Sequence, residues 1–296
     1  MAQSPEYPFR SAEARQEFLA SYDRQAQKWP LVSENRLVET SQGRTFVRIN
    51  GPAEAQPLVL LPGRYGTSLS WVPAIAALSA SYRTYALDSI FDIGRSQPAR
   101  PLKRLADYLG WLDELFTALG LGDQIRLMGI SYGGWLAAQY ALRFPERLAR
   151  LVLIAPAATV LPIRLEWWAR SLPGALHPRF FSSFAFWIFA DLAHQSEDAP
   201  ELLGAAIQDM QLALRCYQRE LGVNPTALSD RRLASLPAPA LFIVGEREKL
   251  YSPHRAVERL NRLAPQVKTA IIPGAGHDLL DVQTALVTAK VLEFLE

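Results

Sequence analysis

The run Gly129-Ile130-Ser131-Tyr132-Gly133-Gly134 restricts this chain more than any other stretch. It follows Ile125-Arg126-Leu127-Met128, an apolar run that reads as a short buried strand. It precedes Trp135 to Leu142, a stretch of helix formers without Gly or Pro. A strand that passes at once into a helix, with Ser at the apex and Gly two residues to either side, is the pattern of a nucleophile elbow. So sharp a turn presses neighbouring backbone against the apex, where a Cβ would clash, and glycine removes it. The turn lifts the Ser131 hydroxyl clear of a sheet and sets it at a helix N-terminus. A serine N-cap in a glycine turn would give the same string. The strand and helix flanks favour the nucleophile.

The rest of the chain supplies the sheet that such a turn needs. Ser11 to about Lys28 can form an amphipathic helix with Phe18, Leu19 and Tyr22 on one stripe, closed by Trp29-Pro30, and residues 1–10 read as loose. Arg36–Thr40 and Arg44–Ile49 alternate in character around Ser41-Gln42-Gly43, a hairpin signal. Buried strands follow at Leu58–Leu61, Thr84–Leu87, the elbow strand, Leu151–Ile154, Ala240–Val244 and Thr269–Ile272. Helices are expected between them at Leu69–Leu78, Leu102–Leu119, the segment after Ser131, Arg255–Leu263, and from the last strand to Glu296. Alternating apolar strands and helices predict a doubly wound α/β fold, a mostly parallel sheet covered on both faces. From about Ala157 to Leu236 the alternation stops and only helical stretches rich in Trp, Phe and Leu remain. That interruption reads as a helical cap: 1–156 and 237–296 form the α/β domain, 157–236 the insertion.

Composition narrows the function. At 296 residues, 49% of them apolar, the chain can bury the core of one large domain. A formal net charge of +2 suggests neither nucleic acid nor an acidic membrane surface as partner. The single cysteine, Cys216, excludes an intramolecular disulfide. No signal peptide is evident at the start and no apolar stretch reaches membrane-spanning length, so a soluble cytoplasmic protein is expected. Phosphate-loop and dinucleotide motifs are absent, and no His or Cys pair has zinc spacing. Neither a metal nor another cofactor is expected.

A serine hydroxyl needs a base to take its proton, and the base needs an acid to orient it. Of the four histidines, His177 and His194 fall in the cap and His254 at a helix start. His277 lies just past a strand, in Pro273-Gly274-Ala275-Gly276-His277-Asp278, where glycines let the backbone bring the imidazole to Ser131. The acid should lie between the two in sequence, at a strand end. Val244-Gly245-Glu246-Arg247-Glu248-Lys249 offers two carboxylates there, and spacing neither chooses between them nor excludes Asp278 or Asp281. Acyl transfer also needs two N–H donors for an oxyanion. The Tyr132 amide, directly after the nucleophile, is one; the Arg64 amide, in Pro62-Gly63-Arg64-Tyr65-Gly66, is the favoured second.

With these residues in place the chain resembles the α/β-hydrolase superfamily, and more closely the bacterial carboxylesterase-type serine hydrolases with a helical cap. The likeness runs from about residue 31 to the end. It rests on Leu60-Leu61-Pro62-Gly63, Tyr82–Asp88, Gly129–Gly134 and Gly276-His277, and is weakest in the cap. It implies a catalytic triad of Ser131, Glu248 and His277, since the family acid sits three residues after the glycine that ends the penultimate strand. Most relatives use Asp; a subset resembles this chain in using Glu, whose extra methylene a backbone shift must absorb. Pro62 stands where the family commonly has a supporting His. Asp88 and Asp92, in Asp88–Ser96, resemble hydrogen-bonding loop residues at the active-site mouth.

The resemblance implies a small-molecule ester substrate, and the cap composition points to an apolar acyl or aryl group. Projected at 100° per residue, Phe180, Phe181, Phe184, Trp187 and Ile188 share one helix face, with Phe186 and Phe189 opposite. Trp167, Phe184 and Trp187 are the candidate substrate-binding residues. For any single aromatic, cap core is the plainer reading, and the exposed side would also suit a lipid surface or a second subunit, so a homo-oligomer stays open. The same triad would also serve a C–C bond, a thioester or a lactone. A ligand receptor built on a hydrolase fold is the non-enzymatic alternative.

Overall fold

Leu58 and Leu60 pack into one core and Val59 and Leu61 into another, which is why this strand reads as an unbroken apolar run. The computed structural model describes residues 6–174, 177–218, 222–237 and 239–296. The strands are β1 (Glu34–Thr40), β2 (Gly43–Asn50), β3 (Pro57–Leu61), β4 (Arg83–Leu87), β5 (Gln97–Pro98), β6 (Ile125–Ile130), β7 (Leu148–Ile154), β8 (Ala240–Gly245) and β9 (Val267–Ile272). The helices are α1 (Ala12–Ala26), α2 (Ile75–Ser81), α3 (Leu105–Ala118), α4 (Tyr132–Arg143), α5 (Leu165–Gly174), α6 (Pro178–Ile188), α7 (Ala199–Cys216), α8 (Asp230–Ala234), α9 (Pro253–Leu263), α10 (Leu279–Val282) and α11 (Thr284–Leu295).

One sheet runs in the order β1-β2-β4-β3-β6-β7-β8-β9, with β5 on the side of β2. Pairing is parallel from β4 through β9 and antiparallel around β2. Trp111, Leu115, Trp135, Ala256 and Leu260 from α3, α4 and α9 cover one face. Trp71, Leu78, Val291 and Leu295, with α2 and α11, cover the other. Strand order reverses between β3 and β6, so the loops after these two strands splay apart at the carboxyl edge, where open α/β sheets bind ligands.

The expected elements are present, with local differences. Pro73 splits the helix expected at Leu69–Leu78 into a 3₁₀ turn at Ser68–Trp71 and α2. The α3 helix starts at Leu105 rather than Leu102, because Asp107 accepts the Arg104 N–H at 3.1 Å and sets the N-terminus there. Residues 6–10 are not loose. Phe9 is buried, forms a bridge with Tyr217 and packs on that ring at 4.5 Å. The first five residues of that stretch lie outside those described. Between β7 and β8 the described residues hold no strand. Helices α5 and α6 pack together there, while α7 lies on α1 through Phe18, Tyr22, Leu212 and Ala213. Leu228, Leu233 and Leu236, around α8, return to the main core.

Candidate active site

Ser131 occupies φ 53°, ψ −116°, a conformation that costs a non-glycine residue about 1–3 kcal/mol. Surrounding backbone holds it there. Its N–H donates to the Ile154 carbonyl at 2.9 Å and its carbonyl accepts from Ala157 at 2.9 Å and Trp135 at 3.0 Å. The glycines are required sterically. A Cβ at Gly129 would lie 2.3 Å from the Gly133 carbonyl oxygen, and one at Gly133 would lie 2.4 Å from the carbonyl oxygens of Leu61 and Pro62.

Three strand ends then converge. Gly245, closing β8, approaches Gly276 so nearly that a Cβ would sit 2.2 Å from the Gly276 oxygen. This contact brings the loop after β8 against the loop after β9. Across it, His277 Nδ1 lies 2.9 Å from Glu248 Oε2, and His277 Nε2 lies 2.9 Å from Ser131 Oγ. A carboxylate only accepts, so Nδ1 carries the ring proton and Nε2 is left to accept the Ser131 hydroxyl. The second carboxylate oxygen, Oε1, accepts the backbone N–H groups of Lys249 at 2.8 Å and Leu250 at 2.9 Å. Burial pushes the His277 pKa down, but the Glu248 charge, its hydrogen bond and Asp278 outweigh it, so the pKa lies above the ordinary imidazole value.

The other carboxylates go elsewhere. Glu246 Oε2 accepts the Gly274 N–H at 2.9 Å and braces the turn after β9. Asp278 Oδ2 accepts the Leu192 N–H at 2.7 Å. Asp281 is exposed on α10. Both ring nitrogens of His277 are occupied by Glu248 and Ser131.

The loop after β3 arches over the serine. A Cβ at Gly63 would lie 3.3 Å from Ser131 Cβ and 3.9 Å from its Oγ. Tyr65 is held at φ 57° while Asp92 Oδ2 accepts its N–H at 3.0 Å. Asp88 similarly accepts from the backbone of Ser68 and Arg95, at 2.7 and 2.8 Å. Among the described residues the Arg64 and Tyr132 backbone N–H groups have no acceptor. Two unspent donors therefore flank the serine.

Between β7 and β8, Trp167, Phe184 and Trp187 are half-buried and touch in sequence, at 5.4 Å and 6.1 Å between ring centroids. Phe181 packs with Phe186 and Phe189 around Ala185, Leu203 and Ile207. Sequence reasoning missed the contacts that join this segment to the site. Lys249 Nζ donates to the Trp187 carbonyl and sits over its ring, and Arg247 pairs with Asp191 at 2.7 Å. Arg247 and Lys249 flank Glu248 in sequence, yet only the folded chain brings them to residues 187–192.

A family model described as alpha/beta hydrolase fold matches residues 56–284. The chain belongs to the α/β-hydrolase fold family. Similarity to carboxylesterase-type members runs along its whole length. It is 34% identical to carboxylesterase YbfK of Bacillus subtilis (strain 168), over 97% of this chain and 96% of that protein. The crystal structure of naproxen esterase (carboxylesterase NP) from Bacillus subtilis superposes with a TM-score of 0.87 at 29% identity, covering 97% of this chain and 99% of that one. A meta-cleavage product hydrolase (CumD) from Pseudomonas fluorescens IP01 shares the hydrolase fold, with a TM-score of 0.73 at 23% identity over 88% and 97% of the two chains. Among the described residues no group of three His, Cys, Asp or Glu could hold a metal ion, and no helix is long and apolar enough to cross a membrane.

Proposed function

We propose that this protein is a serine hydrolase that cleaves carboxylic esters with apolar acyl or aryl groups through an acyl-enzyme. One observation carries the reading: an unbroken hydrogen-bonded line from Glu248 through His277 to a serine at positive φ. The full-length similarity to carboxylesterases supports the choice of an ester bond.

Ser131 Oγ attacks the ester carbonyl as His277 Nε2 takes its proton, and the Glu248 carboxylate stabilises the imidazolium so formed. The Arg64 and Tyr132 N–H groups receive the oxyanion. His277 returns the proton to the departing alkoxide, leaving the acyl group on Ser131. Water then attacks, giving its proton to His277, and the second tetrahedral species collapses to carboxylic acid and free serine. Residues 157–236 act as the cap, with Trp167, Phe184 and Trp187 against the apolar part of the substrate. The test is turnover of p-nitrophenyl esters of increasing chain length, with thioesters and lactones in parallel, and a fluorophosphonate probe on wild type and Ser131→Ala. Labelling confined to Ser131 and preferred ester turnover are expected. Binding without turnover, or labelling at another residue, would overturn the reading.

A further inference from the structure

The side chain of Arg64 has no part in the steps above, and its surroundings are unusual for a cation. The guanidinium lies over the rings of Tyr65 and Tyr132, at 5.3 and 5.4 Å, and its side chain is 28% exposed. Its charge partner is Asp92, with Nε 3.6 Å from Oδ2, longer than a hydrogen bond. Asp92 has already committed both oxygens to backbone, Oδ2 to Tyr65 N–H at 3.0 Å and Oδ1 to Ile93 N–H at 2.9 Å. Asp92 thus offsets the charge without using the four hydrogens on Nη1 and Nη2. Those nitrogens have no hydrogen-bond partner among the described residues.

Glycine lets the backbone come up close against one side of them. A Cβ at Gly222 would lie 2.6 Å from Nη1, 3.0 Å from Nη2 and 3.1 Å from the Tyr108 hydroxyl oxygen. Val223, next in the chain, is fixed on the same tyrosines: its carbonyl accepts from Tyr132 at 2.6 Å and its N–H donates to Tyr108 at 3.3 Å. This cradle stands beside the chemistry. Arg64 follows Gly63, which abuts Ser131, and its guanidinium stacks on the residue that follows Ser131.

We propose that Arg64 is a specificity-determining residue that binds a carboxylate at the far end of the acyl group, so that the favoured substrates are half-esters of dicarboxylic acids. A planar guanidinium whose Nη groups have no partner among the described residues matches a carboxylate through paired hydrogen bonds, and the aromatic rings pre-orient it while limiting competing water. An apolar chain with one terminal charge satisfies both the aromatic cap and this cation. The inference rests on the serine-ester reading, and its test keeps the two apart.

The experiment compares kcat/KM for monoethyl adipate with that for the neutral ethyl heptanoate, by pH-stat, in wild type, Arg64→Gln, Arg64→Lys and Gly222→Ala. Fluorophosphonate labelling and thermal melting are run on each protein. Wild type should prefer the half-ester, and Arg64→Gln should reduce the ratio about 10–100-fold, the range for a lost charge-assisted pair. Arg64→Lys should fall between. Gly222→Ala keeps the charge and the Arg64 backbone but crowds the guanidinium, so it should also lower the ratio and serves if Arg64→Gln does not fold. A wild-type ratio near one, or a ratio that survives both Arg64→Gln and Gly222→Ala, overturns the proposal while leaving the serine reading intact. No labelling and no turnover of either ester in wild type would overturn the serine reading, and this inference with it.

Discussion

Glu248 and His277 meet through Oε2 and Nδ1 at 2.9 Å, while the backbone of Lys249 and Leu250 holds the other carboxylate oxygen. Glu248 is 3% exposed, so water contributes little to that arrangement. Glu248→Gln would keep the shape, remove the charge that stabilises the imidazolium and allow the wrong tautomer at His277. We expect kcat to fall by about 10⁴ if the residue behaves like the acid of a known triad. Glu246→Gln weakens only the brace on Gly274 and should change kcat by less than about tenfold. Glu248→Asp keeps the charge with a shorter reach and should be partly active. Steady-state kinetics rank the three, and the reverse order of the two Gln variants would move the role to Glu246.

The same pair sets a pH dependence. Because the His277 pKa is raised, the acid limb of kcat/KM should lie above the ordinary imidazole value of 6.5. In Glu248→Gln the charge that raises it is gone and burial, which lowers it, remains. The limb should then move to lower pH even as the rate drops. A raised folded-state pKa also adds stability below the unfolded pKa, and this is lost as pH rises through the folded value. Melting temperatures across this window should therefore fall with pH more steeply in wild type than in Glu248→Gln. A limb that stays in place in the variant would show that Glu248 does not act on His277.

The strain at Ser131 can be measured separately from chemistry. Both Ser131→Ala and Ser131→Gly remove the proposed nucleophile and should lower ester turnover by about 10⁶. Only glycine relieves the backbone at φ 53°. Ser131→Gly should therefore melt above Ser131→Ala. Equal melting temperatures would mean that the elbow stores no strain on the serine Cβ.

Much of this architecture is legible in the sequence because it is encoded locally. Leu58–Leu61 and Leu241–Val244 are continuous apolar runs since both sheet faces are covered, and Gly129 and Gly133 mark a turn that tolerates no Cβ. Less legible were features set by distant partners. The two-residue β5 contains Pro98 and exists only because Gly43 and Arg44 lie beside it. Phe9 is ordered by Tyr217, more than two hundred residues away. Glu246 and Glu248 share strand parity, and it is the Gly245–Gly276 contact, together with a turn closed by the Glu248 N–H on the Gly245 carbonyl at 3.2 Å, that brings one of them to the histidine. Asp191 carried no sequence signal at all, because its role depends on Arg247, more than fifty residues away.

The aromatic residues of α6 give a fourth outcome. Phe184→Ala and Trp187→Ala should shift the preference among p-nitrophenyl esters toward different chain lengths, since these half-buried rings are proposed to face the acyl group. If they serve as cap core alone, losses will be equal for all chain lengths and will track a lower melting temperature. Core removal of a large aromatic typically costs about 3–5 kcal/mol.

Residues 187–192 are tied to the His277 loop chiefly through Asp278. Asp278 follows His277 in the chain, is 1% exposed and accepts the Leu192 N–H at 2.7 Å. Arg247, one residue before Glu248, pairs with Asp191 at 2.7 Å, but its side chain is 61% exposed. Solvent screens the second contact far more than the first. Asp278→Ala would strand the Leu192 N–H, at a cost of about 1–3 kcal/mol, and free residues 187–192 from the His277 loop. Arg247→Ala should leave both stability and kinetics close to wild type. Asp278→Asn keeps an acceptor for Leu192 while removing a charge that raises the His277 pKa, so it should retain the cap contact and shift the acid limb downward. Hydrogen exchange at Leu192, read beside the pH profile, separates the two effects. Faster exchange in Asp278→Ala but not in Asp278→Asn is expected; slow exchange in both would mean that other contacts hold the cap.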